Sequence, residues 1–278
     1  MIDLHSHTTA SDGVLSPAAL LDAAAAAGLT ILAITDHDTT TGYLEAARLP
    51  RRPALELIPG IEISAVHDGR DVHVLGYFLD PVSAGLTEFL DRQRSDRRRR
   101  VVEMAERLSA LGRPIDATGI VNAAARGRSV GRPQVADALV AAGHVGSRDE
   151  AFDRFLEYGG PAYVPRRGAS PAAVIRIIHD AGGLASLAHP GVHDRDHLID
   201  ALATEGLDAI EARHSDHDSQ TEMRYRRTAA RLGLLVTGGS DFHGDVTHRA
   251  PTLGTVTLPD ADYERLRERA LQRRGTAP

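Results

Sequence analysis

Two histidines set two residues apart, His5 and His7, stand near the start of the chain in Asp3-Leu4-His5-Ser6-His7-Thr8, with Asp12-Gly13 just behind. In an extended strand, positions i and i+2 face the same side, so both imidazoles can grip one ion. The same donor types return in Thr35-Asp36-His37-Asp38, Gly60-Ile61-Glu62, His73, Ala188-His189-Pro190 and Ser240-Asp241-Phe242-His243. Each cluster follows, or sits in, a short apolar run that reads as a strand. Imidazole and carboxylate donors without thiolates suit manganese, iron or zinc. His67 and His144 read instead as surface or packing residues.

The elements that must position these groups alternate along the chain. Ile2 to Leu4 reads as a strand, and Ser16-Pro17 opens a helix as cap and first-turn proline, with Gly28 as the stop. Thr30 to Ile34, Leu55 to Ile58, Ile61 to Ala65 and Val72 to Phe78 read as further strands. The rhythm returns in helices from Pro171 to Ala181, Asp196 to Thr204 and Ser219 to Leu232, each followed by a strand: Leu184 to Leu187, Ala209 to Ala212 and Leu234 to Thr237. Ligands at the C-terminal ends of strands that alternate with helices predict an α/β fold, a distorted seven-stranded (β/α) barrel. Residues 83–167 are helical, charged and without a convincing strand, which predicts an inserted helical lid; residues 1–82 and 168–278 then form the barrel. An amphipathic helix from Asp260 to Arg274 is expected on the outside.

Composition narrows the chemistry. A chain of 278 residues has room for one large core with an insertion, and a net charge of −6 argues against general affinity for nucleic-acid backbones. No long apolar run or basic leader is visible, so a cytoplasmic protein off the membrane is expected, with no obligate protein partner inferred. Cysteine is absent, and all 32 basic residues in the Lys+Arg count are arginine. Disulfides, thiolate nucleophiles, lysine Schiff bases, phosphate-loop lysines and lysine-carbamate metal bridges are therefore excluded.

Taken together, the DLHSHT start, TDHD, PGIE, the lone His73, AHP and GSDFH resemble the PHP (polymerase and histidinol phosphatase) phosphoesterases, over roughly residues 1–80 and 170–257. Within that family, the chain is most similar to the branch of nucleoside 3′,5′-bisphosphate phosphatases and 5′-to-3′ exoribonucleases. The resemblance implies three divalent ions per chain: His5, His7, Glu62 and Asp241 around the first, Glu62, His73 and His189 around the second, and Asp12, His37 and His243 around the third. Such ions outweigh the three carboxylates, and the electropositive pocket favours a phosphate ester. Asp36 is expected to orient the His37 ring and Asp38 to cap the following helix. His214, at a strand end, is by resemblance a phosphate contact or the acid for the leaving group.

The lid offers arginines. Gly131-Arg132-Pro133-Gln134 resembles the family's GRPH segment, whose arginine contacts a phosphate, with Gln134 replacing the histidine. Tyr163-Val164-Pro165-Arg166-Arg167 is expected to bring Arg166 or Arg167 over the site, with Tyr163 available to stack on a base. Arg97 to Arg100 spreads around its helix and reads as a solvated or salt-bridged surface.

The expected reaction is direct in-line hydrolysis of a phosphomonoester without a phosphoenzyme. The favoured substrate is a small phosphorylated one, a nucleoside 3′,5′-bisphosphate losing its 3′-phosphate. Short RNA trimmed from its 5′ end, histidinol phosphate, and a metal-binding PHP module without turnover are the competing readings.

Overall fold

The structure is a computed structural model, and it describes all residues except 51, 53, 193, 245–252 and 276–278. The part of the family resemblance that falls on 245–252 therefore lies outside the described residues. Seven strands form one sheet in sequence order: β1 (Ile2–Asp3), β2 (Ile31–Ile34), β3 (Glu56–His67), β4 (Arg70–Tyr77), β5 (Leu184–Leu187), β6 (Ala209–Arg213) and β7 (Leu235–Gly238). The sheet curls until its edges meet: Leu4 N donates to Gly238 O at 3.3 Å, and Ser6 bridges Phe242 in parallel. Gly239 permits this closure, because a Cβ there would lie 2.3 Å from His5 N. The α/β barrel with seven strands is as the sequence predicts.

Helices α1 (Pro17–Ala26), α2 (Thr41–Ala47), α7 (Pro171–Asp180), α8 (Ile199–Thr204), α9 (Ser219–Leu232) and α10 (Asp260–Gly275) surround the strands. Ser16 caps α1 as the sequence suggests, and Ser170 and Asp218 do the same for α7 and α9, each accepting a backbone N–H three residues on. Between β4 and α7 run α3 (Ala84–Ala110), α4 (Thr118–Ala125), α5 (Arg132–Ala141) and α6 (Arg148–Ala151). Leu86, Phe89 and Leu90 of α3 pack into the barrel's apolar cluster. Its later residues Val101, Met104 and Leu108 join a separate cluster with Val135, Leu139, Phe155 and Leu156. No helix among the described residues is long and apolar enough to cross a membrane.

Two local readings are corrected. Leu55–Ile58 and Ile61–Ala65 are one continuous strand, β3. Pro59-Gly60 looks like a turn, yet Gly60 is there for close approach: a Cβ would sit 2.8 Å from Ile34 O. And β4 runs antiparallel to both neighbours. Asp68 and Gly69 both hold positive φ, 48° and 73°, the two-residue turn that joins antiparallel strands directly and leaves no length for a crossover helix. His73 consequently lies in the first half of its strand rather than beyond its end.

Candidate metal centre

Glu62 is the hub of the barrel mouth. Its position in the middle of β3, opposite Leu75 of β4 and bridged to His37, places the carboxylate inside the ring of strands. One oxygen lies 2.9 Å from His73 Nδ1 and 3.1 Å from His189 Nε2. The other lies 3.0 Å from His37 Nδ1, 3.3 Å from His7 Nε2 and 3.4 Å from His5 Nε2. Asp241 Oδ1 sits 3.1 Å from His7 Nε2 and 3.2 Å from His5 Nε2. Asp12 reaches His243 Nε2 at 3.4 Å and His37 Nε2 at 3.6 Å.

Four overlapping donor groups result among the described residues, each with its ligand atoms within 4.8 Å of one another: His5, His7, Glu62 and Asp241; His37, Glu62 and His73; His7, Asp12, His37 and His243; and, behind them, His5, Glu211 and His214. All nine residues nominated from the sequence converge on this mouth, His189 through its contact with Glu62. The grouping differs in detail, because His5, His7 and His37 each belong to two groups. Burial raises the Glu62 carboxyl, yet His37, His73 and His5 hold it well below the usual range. Asp241 is likewise held low against its burial, first by His5 and then by His243.

The residues fit metal ions. His7 Nδ1 and Nε2, Asp12 Oδ1, His37 Nδ1 and His73 Nδ1 are buried without a hydrogen-bond partner. Folded proteins leave few such atoms unsatisfied, and five of the twelve among the described residues lie together at this mouth. Backbone strain collects there too: Asp38, His189 and Asp241 have positive φ of 49°, 24° and 53°, unusual for residues other than glycine.

Glu211 was not singled out as a site residue from the sequence. Its Oε1 accepts from His5 Nδ1 at 2.9 Å, and its Oε2 accepts the backbone N–H of His189 at 2.8 Å. Carboxylate behind imidazole fixes the tautomer, so His5 turns its Nε2 lone pair toward the mouth. The available signal was a carboxylate within the apolar run of β6, three residues before His214 in Glu211-Ala212-Arg213-His214. His214, fully buried, accepts from Asp216 N at its Nδ1 and faces Asp241 Oδ2 across 3.3 Å at its Nε2.

Asp36 and Asp38 do other work than expected. Asp36 accepts from Thr8 N, Thr8 Oγ1 and Ser11 Oγ, bracing the β1 loop rather than orienting His37. Asp38 caps no helix. It accepts from Ser64 N at 2.9 Å and from Arg97 Nε at 2.6 Å, with Arg166 Nη1 at 3.4 Å. Arg97 and Arg100 are buried, which corrects the surface reading, while Arg98 between them is exposed. A long arginine stem can deliver its head to the interior even on a polar helix, and the interior acceptor decides the matter.

Beside the metal cavity lies a chamber of about 400 Å³, and His73 lines both. Arg132 points into it, its guanidinium 5.7 Å from the Phe152 ring centre and 5.8 Å from that of Tyr163. Tyr163 lines the same chamber. Arg166 lies behind, 3.2 Å from Asp71. Gln134 is engaged at both ends of its amide, accepting from Gly131 N and donating to Ser11 O. Arg167 is exposed, with its backbone N–H on Asp96, and does not line the chamber.

The PHP domain family model matches residues 3–142. The chain is 37% identical over 247 residues to the 5′-3′ exoribonuclease of Haemophilus influenzae, covering 87% of this chain and 89% of that protein. It is 34% identical over 247 residues to the 3′,5′-nucleoside bisphosphate phosphatase of Chromobacterium violaceum, covering 87% of each. A crystal structure from Bifidobacterium adolescentis, provisionally assigned as a metal-dependent phosphoesterase, superposes with a TM-score of 0.86 at 36% identity over 96% of both chains. The likenesses extend across both halves of the barrel and the helices between them, and the chain belongs to the PHP domain family of metal-dependent phosphoesterases.

Proposed function

We propose that the chain removes the 3′-phosphate of nucleoside 3′,5′-bisphosphates with three divalent ions, manganese, iron or zinc, held by His5, His7, Asp12, His37, Glu62, His73, His189, Asp241 and His243. The observation that carries this reading is the set of three donor groups joined through Glu62, His7 and His37, opening directly on an arginine- and tyrosine-lined chamber. Bound ions supply an acidified water near neutral pH and compensate the charge of the phosphoryl oxygens. Glu211 keeps His5 in the right tautomer. His214 takes a hydrogen bond at Nδ1, which leaves its proton on Nε2, facing the centre and available to a departing oxygen. Arg132 and Tyr163 hold the nucleoside side of the substrate, and the helical segment 83–167 serves as the lid.

The test is phosphate release from a panel in the presence of manganese: nucleoside 3′,5′-bisphosphates, nucleoside monophosphates, 5′-phosphorylated short RNA and histidinol phosphate. The bisphosphate should be turned over fastest, and a preference for a non-nucleotide ester would overturn the proposal. Trimming of short RNA is the second reading, favoured by the exoribonuclease relative and by the chamber's continuation into a neighbouring pocket of about 230 Å³.

A further inference from the structure

We propose that Arg70 and Arg195, on the outer wall of the chamber, bind the substrate phosphate that does not react, and so decide between a bisphosphate and a monophosphate. The inference rests on the phosphatase reading above. Neither arginine belongs to a family motif quoted from the sequence. Arg70 opens β4 immediately after the Asp68-Gly69 turn, and Arg195 lies in the loop between β5 and α8 that also carries His189. Topology brings them together: both line the chamber and also the adjoining smaller pocket.

Charge accounting singles them out. Of the arginines nominated from the sequence, Arg167 does not line the chamber, and Arg166 and Arg132 already face protein carboxylates. Arg166 contacts Asp38 and Asp71, and Arg132 lies 3.6 Å from Asp71. Among the described residues, no carboxylate comes within ion-pair distance of Arg70 or Arg195. The Arg70 guanidinium rests on the Tyr158 ring at 5.0 Å, a contact that positions the cation without neutralising it. Arg195 donates from Nη2 to Asp71 O at 3.1 Å, while its Nε is buried without a partner.

Burial, followed by the nearby Arg70 charge, lowers the Arg195 pKa, and Asp71 and Asp194 offset part of that shift. The acidic groups facing the pair are Asp71 and Glu157 in the chamber and Asp68 and Asp194 in the outer pocket; the Asp71 carboxylate is engaged by Arg132 and Arg166, and none of the four forms an ion pair with Arg70 or Arg195. A phosphate between the two guanidiniums would accept from both and relieve their repulsion. With His73 on the inner wall of the same chamber, one nucleotide can place a phosphate at each end.

The experiment compares kcat/KM for adenosine 3′,5′-bisphosphate and adenosine 3′-monophosphate in the manganese-loaded wild type, Arg70→Ala, Arg195→Ala and the surface control Arg176→Ala. Equilibrium binding of adenosine 5′-monophosphate is measured in parallel. The bisphosphate-to-monophosphate ratio should fall about 10- to 100-fold in each chamber variant, the effect of losing one charge-assisted hydrogen bond, and stay put in the control. Binding of the 5′-monophosphate should weaken by a similar factor. An unchanged ratio with unchanged binding, or an equal loss on both substrates, would overturn the assignment. If the wild type hydrolyses neither ester yet its nucleotide binding still depends on Arg70 and Arg195, the proposed activity fails and the anion site stands.

Discussion

Two buried polar regions lie side by side at the barrel mouth, and they are built on opposite rules. In the histidine cluster, atoms such as His7 Nε2, His37 Nδ1 and Asp12 Oδ1 are buried with no hydrogen bond to complete them. In the neighbouring layer, Asp38 is equally buried, yet Arg97, Arg166 and Ser64 N together satisfy it, and Arg97 in turn donates to Ser64 Oγ and Val130 O. A group left open inside a protein waits for a ligand; a group closed by its neighbours ties elements together. The first region is chemistry, and the second fastens α3 and the 163–167 segment to the rim.

Substitution should separate the two. The largest effect belongs to the open cluster: Asp241→Ala should lower kcat/KM for phosphate release roughly a thousandfold, because several kcal/mol of charge stabilisation depend on the ions it helps hold. Manganese should raise the melting temperature of the wild type and not that of this variant, since an ion that binds only the folded state stabilises it by mass action. Near wild-type turnover would break the contrast. Next comes the closed layer. Asp38→Ala leaves the buried Arg97 guanidinium without a carboxylate and removes one of the two that Arg166 contacts, and should cost about 3–5 kcal/mol of unfolding free energy in denaturant melts, with or without manganese. A melt indistinguishable from wild type would show that this layer is not structural. The smallest of the three tests their boundary: Glu211→Gln should weaken metal affinity about 10- to 100-fold by titration while the fold persists. Unaltered affinity would remove Glu211 from the metal side of the comparison.

The open region was legible in the sequence and the closed one was not. His5, His7, His37, His189 and Asp241 announce themselves because metal donors at strand ends follow short local patterns. Arg97 and Arg100 hide inside a run of four arginines, and only acceptors distant in sequence, Asp38 for Arg97 and Val164 O for Arg100, show which two of the four turn inward. Asp38 misled for the same reason: a polar residue just before a helix reads as a cap, whereas a partner distant in sequence claimed it. Glu211 was equally silent, since its role depends on His5, 206 positions distant. The reversal of β4 is different, because the Asp68-Gly69 pair carried that information locally and the expectation of regular alternation overrode it.

Glu62 touches five imidazoles, and that sharing has a consequence for how the protein can change. A carboxylate common to neighbouring coordination positions makes them interdependent: an ion of different radius at one corner shifts the oxygen that its neighbours also use. In the multi-ion centre proposed above, exchange of one metal for another would therefore be a collective event, and the mouth would be retuned more readily through the outlying rings than through its centre.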